Sequence, residues 1–437
     1  MMLGLLICLP LVLPPDDPPD LQLVRAWEVA GTSQDGEFGS ELAFLGDIDF
    51  DGIADLLVTA PGARRDDGLP GEGAVHLLSG ADGRVLWTIQ GEAAGQALGR
   101  GLAVLDDVNV DGRPDFAVLS RSELRDNGGD GWRIAAEIRS GRDGSVLRPL
   151  VSARRDERLG GPLVATGDVD GDGHGDLLVG SVADEDGIVD VAPRPGIAVL
   201  FSSMTGRELR RFTGETWDFG RVVLGRSQLG DNAGAAFAIG DESRQRLAVW
   251  STASDAPAFE ASLPQDRSAS FRAAAPGDVD QDGRPDFLVL TFVARGCPGG
   301  TGTSPREAPR FAIQSGKDGR LLGELAWRAM ETPGLCALAT LPDLNGDGLR
   351  ELVLGDPLDF AGRGTVELVH PVSGGTLSTL RGGQVSRWFG AALAACDVLG
   401  EGVGPGLAIA AVKDDRGALN GGSVALFTLE ALPRRHR

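Results

Sequence analysis

The stretch FGSELAFLGDIDFDGIADLLVTAP, residues 38 to 61, places an acidic, glycine-containing loop between two short apolar runs. Apolar runs of this length are typical of β-strands, and Asp and Gly are typical of the turn between them. Six related stretches follow, at residues 98–120, 159–181, 219–241, 271–291, 335–357 and 389–411. Successive loops are 51 to 65 residues apart, so the sequence predicts a repeat architecture.

Each repeat continues with an apolar strand, a tight turn and another strand. Examples are AVHLLSGADGRVLWTIQG (74–91), AEIRSGRDGSVLRPL (136–150) and FAIQSGKDGRLLGEL (311–325). The S-G-x-D-G turn is a strong hairpin signal because Gly and Asp tolerate the backbone angles of tight turns. Four strands per repeat, seven times over, predict an all-β fold, a seven-bladed β-propeller with four-stranded antiparallel blades.

The two ends of the chain fit together in this scheme. The last repeat ends after one further strand, GSVALFTLE (422–430), and lacks a fourth. The early segment LVRAWEVAG (23–31) resembles GRVLWTIQG (83–91), the fourth strand of the first repeat. We therefore expect the N-terminal strand to complete the last blade and close the ring.

Five of the seven loops follow the pattern D-x-[DN]-x-D-G-x-x-[DE]. Side chains at positions 1, 3 and 5 can converge on one cation, position 7 offers a backbone carbonyl, and the carboxylate at position 9 closes the loop. Oxygen ligands of this kind favour Ca²⁺, at about five structural sites. The predicted ligands are Asp47, Asp49, Asp51, Ile53 and Asp55; Asp107, Asn109, Asp111, Arg113 and Asp115; Asp168, Asp170, Asp172, His174 and Asp176; Asp278, Asp280, Asp282, Arg284 and Asp286; and Asp343, Asn345, Asp347, Leu349 and Glu351.

Other interpretations of these loops are weaker. An EF-hand needs a Glu at position 12, where Val58 and its counterparts lie inside apolar strands. Asp and Gly also favour turns without a metal, but five loops in register would then carry uncompensated repulsion. The fourth loop, from Ser227, and the seventh, from Asp397, depart from the pattern and are not expected to bind calcium well.

Composition narrows the function classes. A formal net charge of −22 argues against nucleic-acid binding. The first fifteen residues, MMLGLLICLPLVLPP, have an apolar run of signal-peptide length. We expect a signal peptide and Pro-rich leader at 1–20, one propeller at 21–431, a basic tail at 432–437, and a secreted or cell-surface protein, extracellular or periplasmic. No stretch has the roughly 20 apolar residues of a transmembrane helix.

The cysteines do not indicate a zinc or redox site, since Cys297, Cys336 and Cys396 form no C-x-x-C pair. Cys297 and Cys336 are either a disulfide across neighbouring repeats or free buried thiols, and the sequence leaves both open.

Phe38-Gly39, the Asp47 to Asp55 loop and Ala60-Pro61 resemble the FG-GAP signature. They are similar to the repeats of integrin α-subunit propellers and of related bacterial extracellular (VCBS-type) repeat proteins. The resemblance implies a seven-bladed propeller with Ca²⁺ in loops on one face and a role in adhesion or ligand recognition. It does not identify the ligand, because nothing here resembles the integrin leg domains, transmembrane helix or partner subunit.

Partners are expected on the face opposite the acidic loops, where the connections between second and third strands emerge. These are Ala63 to Gly73, Arg121 to Trp132, Ala183 to Gly196 and Ala294 to Pro309, with Trp132 and Arg125 as first candidate contacts. No catalytic grouping is recognisable, which favours a protein-binding adhesin or scaffold over an enzyme. A lectin-like glycan binder is the main alternative, and a polysaccharide hydrolase or lyase a weaker one.

Overall fold

The computed structural model describes residues 21–64, 71–124, 131–151, 159–181, 195–229, 237–251, 254, 256–263, 269–293, 310–326, 337–383 and 387–431. Within these ranges the chain forms 28 strands and two helices of one turn each. The strands assemble into seven four-stranded antiparallel sheets, which are the blades of a β-propeller. The predicted fold class and blade number are confirmed.

Six blades are built from four consecutive strands each. Blade 1 contains β2 (Leu42–Gly46), β3 (Asp55–Ala60), β4 (Ala74–Leu78) and β5 (Val85–Gln90). Blade 2 contains β6 (Gly101–Leu105), β7 (Asp115–Leu124), β8 (Gly131–Arg139) and β9 (Val146–Leu150). Blade 3 contains β10 (Leu159–Ala165), β11 (Leu177–Ser181), β12 (Ile197–Phe201) and β13 (Glu208–Thr213).

The remaining blades follow the same order until the last. Blade 4 contains β14 (Phe219–Leu224), β15 (Phe237–Asp241), β16 (Arg246–Trp250) and β17 (Phe259–Ser262). Blade 5 contains β18 (Ala269–Gly277), β19 (Asp286–Val293), β20 (Arg310–Gln314) and β21 (Leu321–Ala326). Blade 6 contains β22 (Ala337–Thr340), β23 (Leu352–Asp356), β24 (Thr365–Val369) and β25 (Thr376–Arg381). Blade 7 contains β26 (Phe389–Cys396), β27 (Gly406–Ala411), β28 (Ser423–Ala431) and β1 (Leu21–Ala30).

The second strand of a blade is buried on both faces, which explains its continuous apolar run. All six residues of β3 are buried. Successive side chains of a strand point to opposite faces, so Leu56 and Val58 pack against blade 7 while Leu57 packs against blade 2. Each second strand thus contributes to two inter-blade cores.

The hydrophobic core is divided into seven clusters, one at each contact between neighbouring blades. The cluster between blades 7 and 1 contains Ala408 and Leu426 from blade 7 together with Leu56 from blade 1. This cluster has at least as many buried hydrophobic residues as each of the other six. Among the described residues, every interface between neighbouring blades therefore has a packed core.

Ring closure depends on β1, as predicted from the sequence. This strand pairs antiparallel with β28, in a register that runs from Leu21 opposite Ala431 to Ala30 opposite Ser423. The indole Nε1 of Trp27 donates a hydrogen bond of 2.7 Å to the carbonyl oxygen of Gly80 in blade 1. At the next interface Trp87 Nε1 donates to Gly141 of blade 2, at 3.1 Å. The two strands that resemble each other in sequence thus make the same kind of contact with the next blade.

The two helices are short connecting elements. They are α1 (Arg226–Leu229), which lies where blade 4 would carry its acidic loop, and α2 (Asp359–Gly362), which follows β23. Within the ranges that the structure describes, neither helix approaches the length and apolar character needed to cross a membrane.

Some sequence predictions lie outside the described residues. These are the leader 1–20, the tail 432–437, Cys297, Cys336, Arg125, and most of the connections 183–196 and 294–309. Cys396 is half-buried with a free thiol, and burial raises its pKa to about 11.

Candidate metal centres

The five acidic loops join the first and second strands of blades 1, 2, 3, 5 and 6, so they emerge at the same face of the ring. Each begins after the innermost strand and ends with its ninth residue at the start of the second strand. The sequence prediction of their position in the blade is confirmed. Their role as metal ligands remains a prediction.

The carboxylate at position 1 folds each loop back on itself. In blade 1, Asp47 accepts hydrogen bonds from the backbone amides of Asp51, at 3.1 Å, and Gly52, at 2.9 Å. The loops of blades 2, 3, 5 and 6 repeat this pair of bonds at Asp107, Asp168, Asp278 and Asp343. Position 6 is Gly in each loop, and Gly52 has a φ of +90°, a conformation that other residues rarely adopt. These hydrogen bonds therefore hold the carboxylates of each loop close together.

The residue at position 7 uses its backbone amide within the loop. The amide of Ile53 donates to Asp51 Oδ1 at 2.9 Å. Equivalent bonds are made by Arg113, His174, Arg284 and Leu349. The role of these five residues as carbonyl ligands remains a prediction.

The carboxylate at position 9 is fully buried in all five loops, and in blades 1, 2, 3 and 5 it connects two parts of the blade. Asp55 Oδ2 accepts the amide of Ile48 at 2.8 Å, and Oδ1 accepts the amide of Gly80 at 3.0 Å. Gly80 belongs to the turn between the third and fourth strands, and a Cβ there would lie 2.0 Å from the carbonyl oxygen of Ala54. Asp115, Asp176 and Asp286 accept corresponding amides from Gly141, Ser203 and Gly316. Glu351 accepts the amide of Leu344.

Sequence reasoning assigned position 9 only to the metal, and missed this second contact. The partner glycine lies 25 residues further along the chain from Asp55. The repeated S-G turn was visible in the sequence as a hairpin signal, but its approach to the acidic loop depends on how the outer hairpin packs.

Burial makes the position 9 carboxylates hard to ionise without a cation. Desolvation raises the pKa of Asp55 and of Asp176 to about 6, and that of Glu351 to about 7. It also raises the pKa of Asp115 and Asp286, and a neighbouring loop carboxylate adds to the shift in all five cases. A bound divalent cation would favour the ionised form.

The geometry of three loops fits a metal ion directly. Asp47, Asp49 and Asp55 each place one oxygen within 4.8 Å of the others, as do the triads Asp168, Asp170, Asp176 and Asp278, Asp280, Asp282. In blades 2 and 6 position 3 is Asn109 and Asn345, which supply an amide oxygen instead. Within the described residues, Asp280 Oδ1, Asp282 Oδ2 and Glu351 Oε1 are buried without a hydrogen-bond partner. These oxygens and the all-oxygen donor set fit a hard cation such as Ca²⁺.

The loop of blade 7 has a different arrangement. Arg350, at position 8 of the blade 6 loop, makes two hydrogen bonds to the carboxylate of Asp397, at 2.7 and 2.5 Å. Leu399, at position 3, is buried and offers no oxygen ligand from its side chain. The Arg350 side chain therefore neutralises Asp397, the acidic residue at position 1 of the seventh loop.

Comparison with known proteins agrees with this geometry. Residues 38–78 match the model of the FG-GAP repeat, a range that contains β2, the Asp47 to Asp55 loop, β3 and β4. This stretch is thus similar to an FG-GAP repeat. It is also 38% identical over 98 residues to integrin alpha pat-2 of Caenorhabditis briggsae. That match covers 21% of this chain and only 8% of the integrin chain.

The similarity to known proteins therefore covers one FG-GAP repeat and a short stretch of an integrin alpha chain. The three described histidines are engaged in structural contacts. His76 contacts the hydroxyl of Thr88 at 2.9 Å, His370 contacts Asp347 at 2.6 Å, and His174 lies within an acidic loop. The sequence placed Arg121 to Trp132 in a connection, which is wrong at both ends, because β7 extends to Leu124 and Trp132 lies on β8 opposite Glu123. The role of Trp132 in binding remains a prediction.

Proposed function

We propose that the protein is an exported, calcium-binding β-propeller that acts as an adhesion, protein-interaction or scaffold module. One observation carries this proposal: five of seven blades repeat the same acidic loop, closed by the same fully buried carboxylate. Such repetition is expected of a structural ion site that these five blades use in the same way.

Calcium would act here as a structural ion. Each loop gathers three or four carboxylates, and their repulsion opposes folding when no cation is present. Positions 1, 3, 5 and 9 with the carbonyl of position 7 would hold the ion, which supplies the compensating charge. Because position 9 also bonds the outer turn, binding would secure the connection between the inner and outer strands of a blade.

The two faces of the ring would then have separate roles. Calcium loops occupy one face, and the connections between second and third strands occupy the other. Propellers bind partners at such loop faces. We infer that an extracellular protein binds this second face, at the β7–β8 hairpin that contains Trp132.

Binding assays in millimolar calcium and in excess chelator test this function. The full chain is immobilised and exposed to a panel of purified extracellular matrix proteins and to a printed glycan array. We expect saturable, calcium-dependent binding to a protein and weaker binding by the double variant Arg125→Ala/Trp132→Ala. Val398→Ala, which alters an exposed side chain in the seventh loop on the same face as the calcium loops, is the matched control and should bind normally.

Binding to glycans alone would overturn the protein-interaction role and support the lectin alternative. Release of sugars from a polysaccharide would overturn the non-enzymatic assignment. Export is tested by expressing the full chain with its leader and determining the N-terminal sequence of the secreted product. An uncleaved intracellular product would contradict the proposed leader at 1–20.

A further inference from the structure

Basic side chains from the outer hairpins approach two of the acidic loops. Arg84 follows the turn between β4 and β5, and its Nη2 lies 2.5 Å from Asp49 Oδ2. Arg320 follows the turn between β20 and β21, and its Nη2 lies 2.6 Å from Asp280 Oδ2. In both blades a guanidinium therefore contacts the carboxylate at position 3 of the loop.

An aspartate in the same turn holds each arginine in place. Arg84 Nε lies 3.7 Å from Asp82, and Arg320 Nε lies 3.8 Å from Asp318. The arginine amides also donate to these aspartates, at 3.0 and 3.1 Å. Each guanidinium thus bridges a turn aspartate and a loop aspartate, with nearly the same geometry in the two blades.

Blade 3 provides the comparison. It has the same four aspartates in its loop, and Arg207 occupies the position in the turn that corresponds to Arg84. The turn residue is Thr205 instead of an aspartate, and its hydroxyl accepts only the Arg207 amide. Among the described residues, no ion pair forms between Arg207 and Asp170. The turn aspartate therefore distinguishes loops with a bound arginine from the loop without one.

One of the two contacted carboxylates, that of Asp280, also has a buried oxygen without a hydrogen-bond partner in the part of the chain that the structure describes. The side chain of Asp280 is only 7% exposed, and its Oδ1 has no hydrogen-bond partner among the described residues. One oxygen of Asp280 therefore bonds the arginine while the other is available to a cation. A bound Ca²⁺ and the guanidinium would share one carboxylate and repel each other.

We propose that Arg84 and Arg320 set the calcium affinity of the blade 1 and blade 5 sites. Each guanidinium offsets one negative charge of a four-aspartate loop and lowers its affinity for Ca²⁺. The blade 3 site, with four aspartates and no arginine, is then the tightest of the three and fills first. This inference rests on the proposed calcium binding and adds an order of affinities among the sites.

Calcium titration by calorimetry tests the order. Wild-type protein, made calcium-free, should show a tight site that Asp170→Ala removes. The double variant Arg84→Gln/Arg320→Gln should move two further sites into the tight class, with an affinity gain of about tenfold each and an unchanged total number of sites. Arg142→Gln removes an arginine from the corresponding turn of blade 2 that does not contact a loop carboxylate in the described structure, and should change nothing.

The reciprocal variant Thr205→Asp adds the missing turn aspartate to blade 3. It should bring Arg207 onto Asp170 and weaken the tight site by about tenfold. Because this variant adds a contact, it tests the inference even if the double variant is poorly folded. Calcium binding with unchanged affinities in both variants would overturn the inference and leave the proposed function intact. Absence of calcium binding in wild-type protein would overturn both.

Discussion

At the scale of single residues, the acidic loops contain two kinds of carboxylate. Asp49 is half-buried, and one of its oxygens accepts the amide of Asp51 at 3.2 Å. Asp55 is fully buried and accepts amides from Ile48, Asp49 and Gly80. The first is bonded to a loop amide and to Arg84, whereas the second satisfies backbone donors that would otherwise be buried alone.

Alanine substitutions separate these two roles. Asp55→Ala leaves three backbone donors without an acceptor, so it should lower the free energy of unfolding by about 2–3 kcal/mol with or without calcium. Asp49→Ala should cost less than about 1 kcal/mol in chelator but remove one equivalent of bound calcium. Urea unfolding in calcium and in chelator measures both. Equal losses in chelator would show that Asp55 is not a structural connector.

His76 gives the fold a dependence on pH. Its ring packs against Phe38, with 5.3 Å between the ring centroids, and burial lowers its pKa from 6.5 to about 4. The unfolded chain therefore binds a proton between pH 6.5 and 4 that the folded chain does not, so the stability is present above pH 6.5 and declines as the pH falls.

Acidification from pH 7 to pH 5 in saturating calcium should thus lower the free energy of unfolding by about 1–2 kcal/mol through this residue. His76→Gln should remove that part of the decline. The measurement compares urea unfolding of the two proteins at both pH values. Identical pH profiles would show that His76 is not the titrating group.

The sequence predicted the residues of the acidic loops better than their surroundings. Alternate spacing places Asp47, Asp49 and Asp51 in one loop, because the contacts between them are local. The contact of Arg84 with Asp49 spans 35 residues and exists because the outer hairpin folds over the loop. No local pattern contains that information.

At the scale of secondary-structure elements, the outer strand of one blade is attached to the turn of the next. Trp27 and Trp87 make this contact with an indole N–H. Arg148 and Arg210, at the corresponding positions of blades 2 and 3, donate to carbonyl oxygens of Ser203 and Ser254. The sequence indicated that the strands of Trp27 and Trp87 are alike. The carbonyl oxygens that accept the two indole hydrogen bonds lie 53 and 54 residues further along the chain, so only the fold reveals them.

Replacing each indole by a phenyl ring tests these contacts. Trp27→Phe and Trp87→Phe remove the donor and leave a carbonyl unpaired, which should lower the free energy of unfolding by about 1–2 kcal/mol each. Trp217→Phe, at a side chain that is 48% exposed, is the control and should have little effect. Denaturant unfolding at fixed calcium measures all three, and a loss in the control of similar size would contradict this interpretation.

At the scale of the whole molecule, stability depends on closing the ring. Among the strands that the structure describes, only β1 is out of sequence order, and it pairs with β28 along nine residues of register. Deleting Leu21–Ala30 would expose the edge of β28 and remove Leu23 and Trp27 from the cores of blade 7. We expect the shortened protein to aggregate or to unfold without a cooperative transition.

A circular permutant restores the missing strand and controls for this loss. Leu21 lies opposite Ala431, so an Asn-Gly turn can join residue 431 to residue 21, with the new N-terminus at Thr32. The permutant should unfold cooperatively with nearly the wild-type midpoint. A stable, cooperative deletion protein, or a permutant no better than the deletion, would contradict the closure by β1.

The central claim is that calcium in five acidic loops stabilises the propeller. Calorimetric titration of calcium combined with thermal unfolding in chelator and in millimolar calcium tests it most directly. We expect about five ions per chain and a large rise in Tm, since each site contributes about 2.7 kcal/mol when the free ion is a hundredfold above its Kd. An unchanged Tm without bound calcium would show that the loops are ordinary turns, and only the repeat architecture would remain.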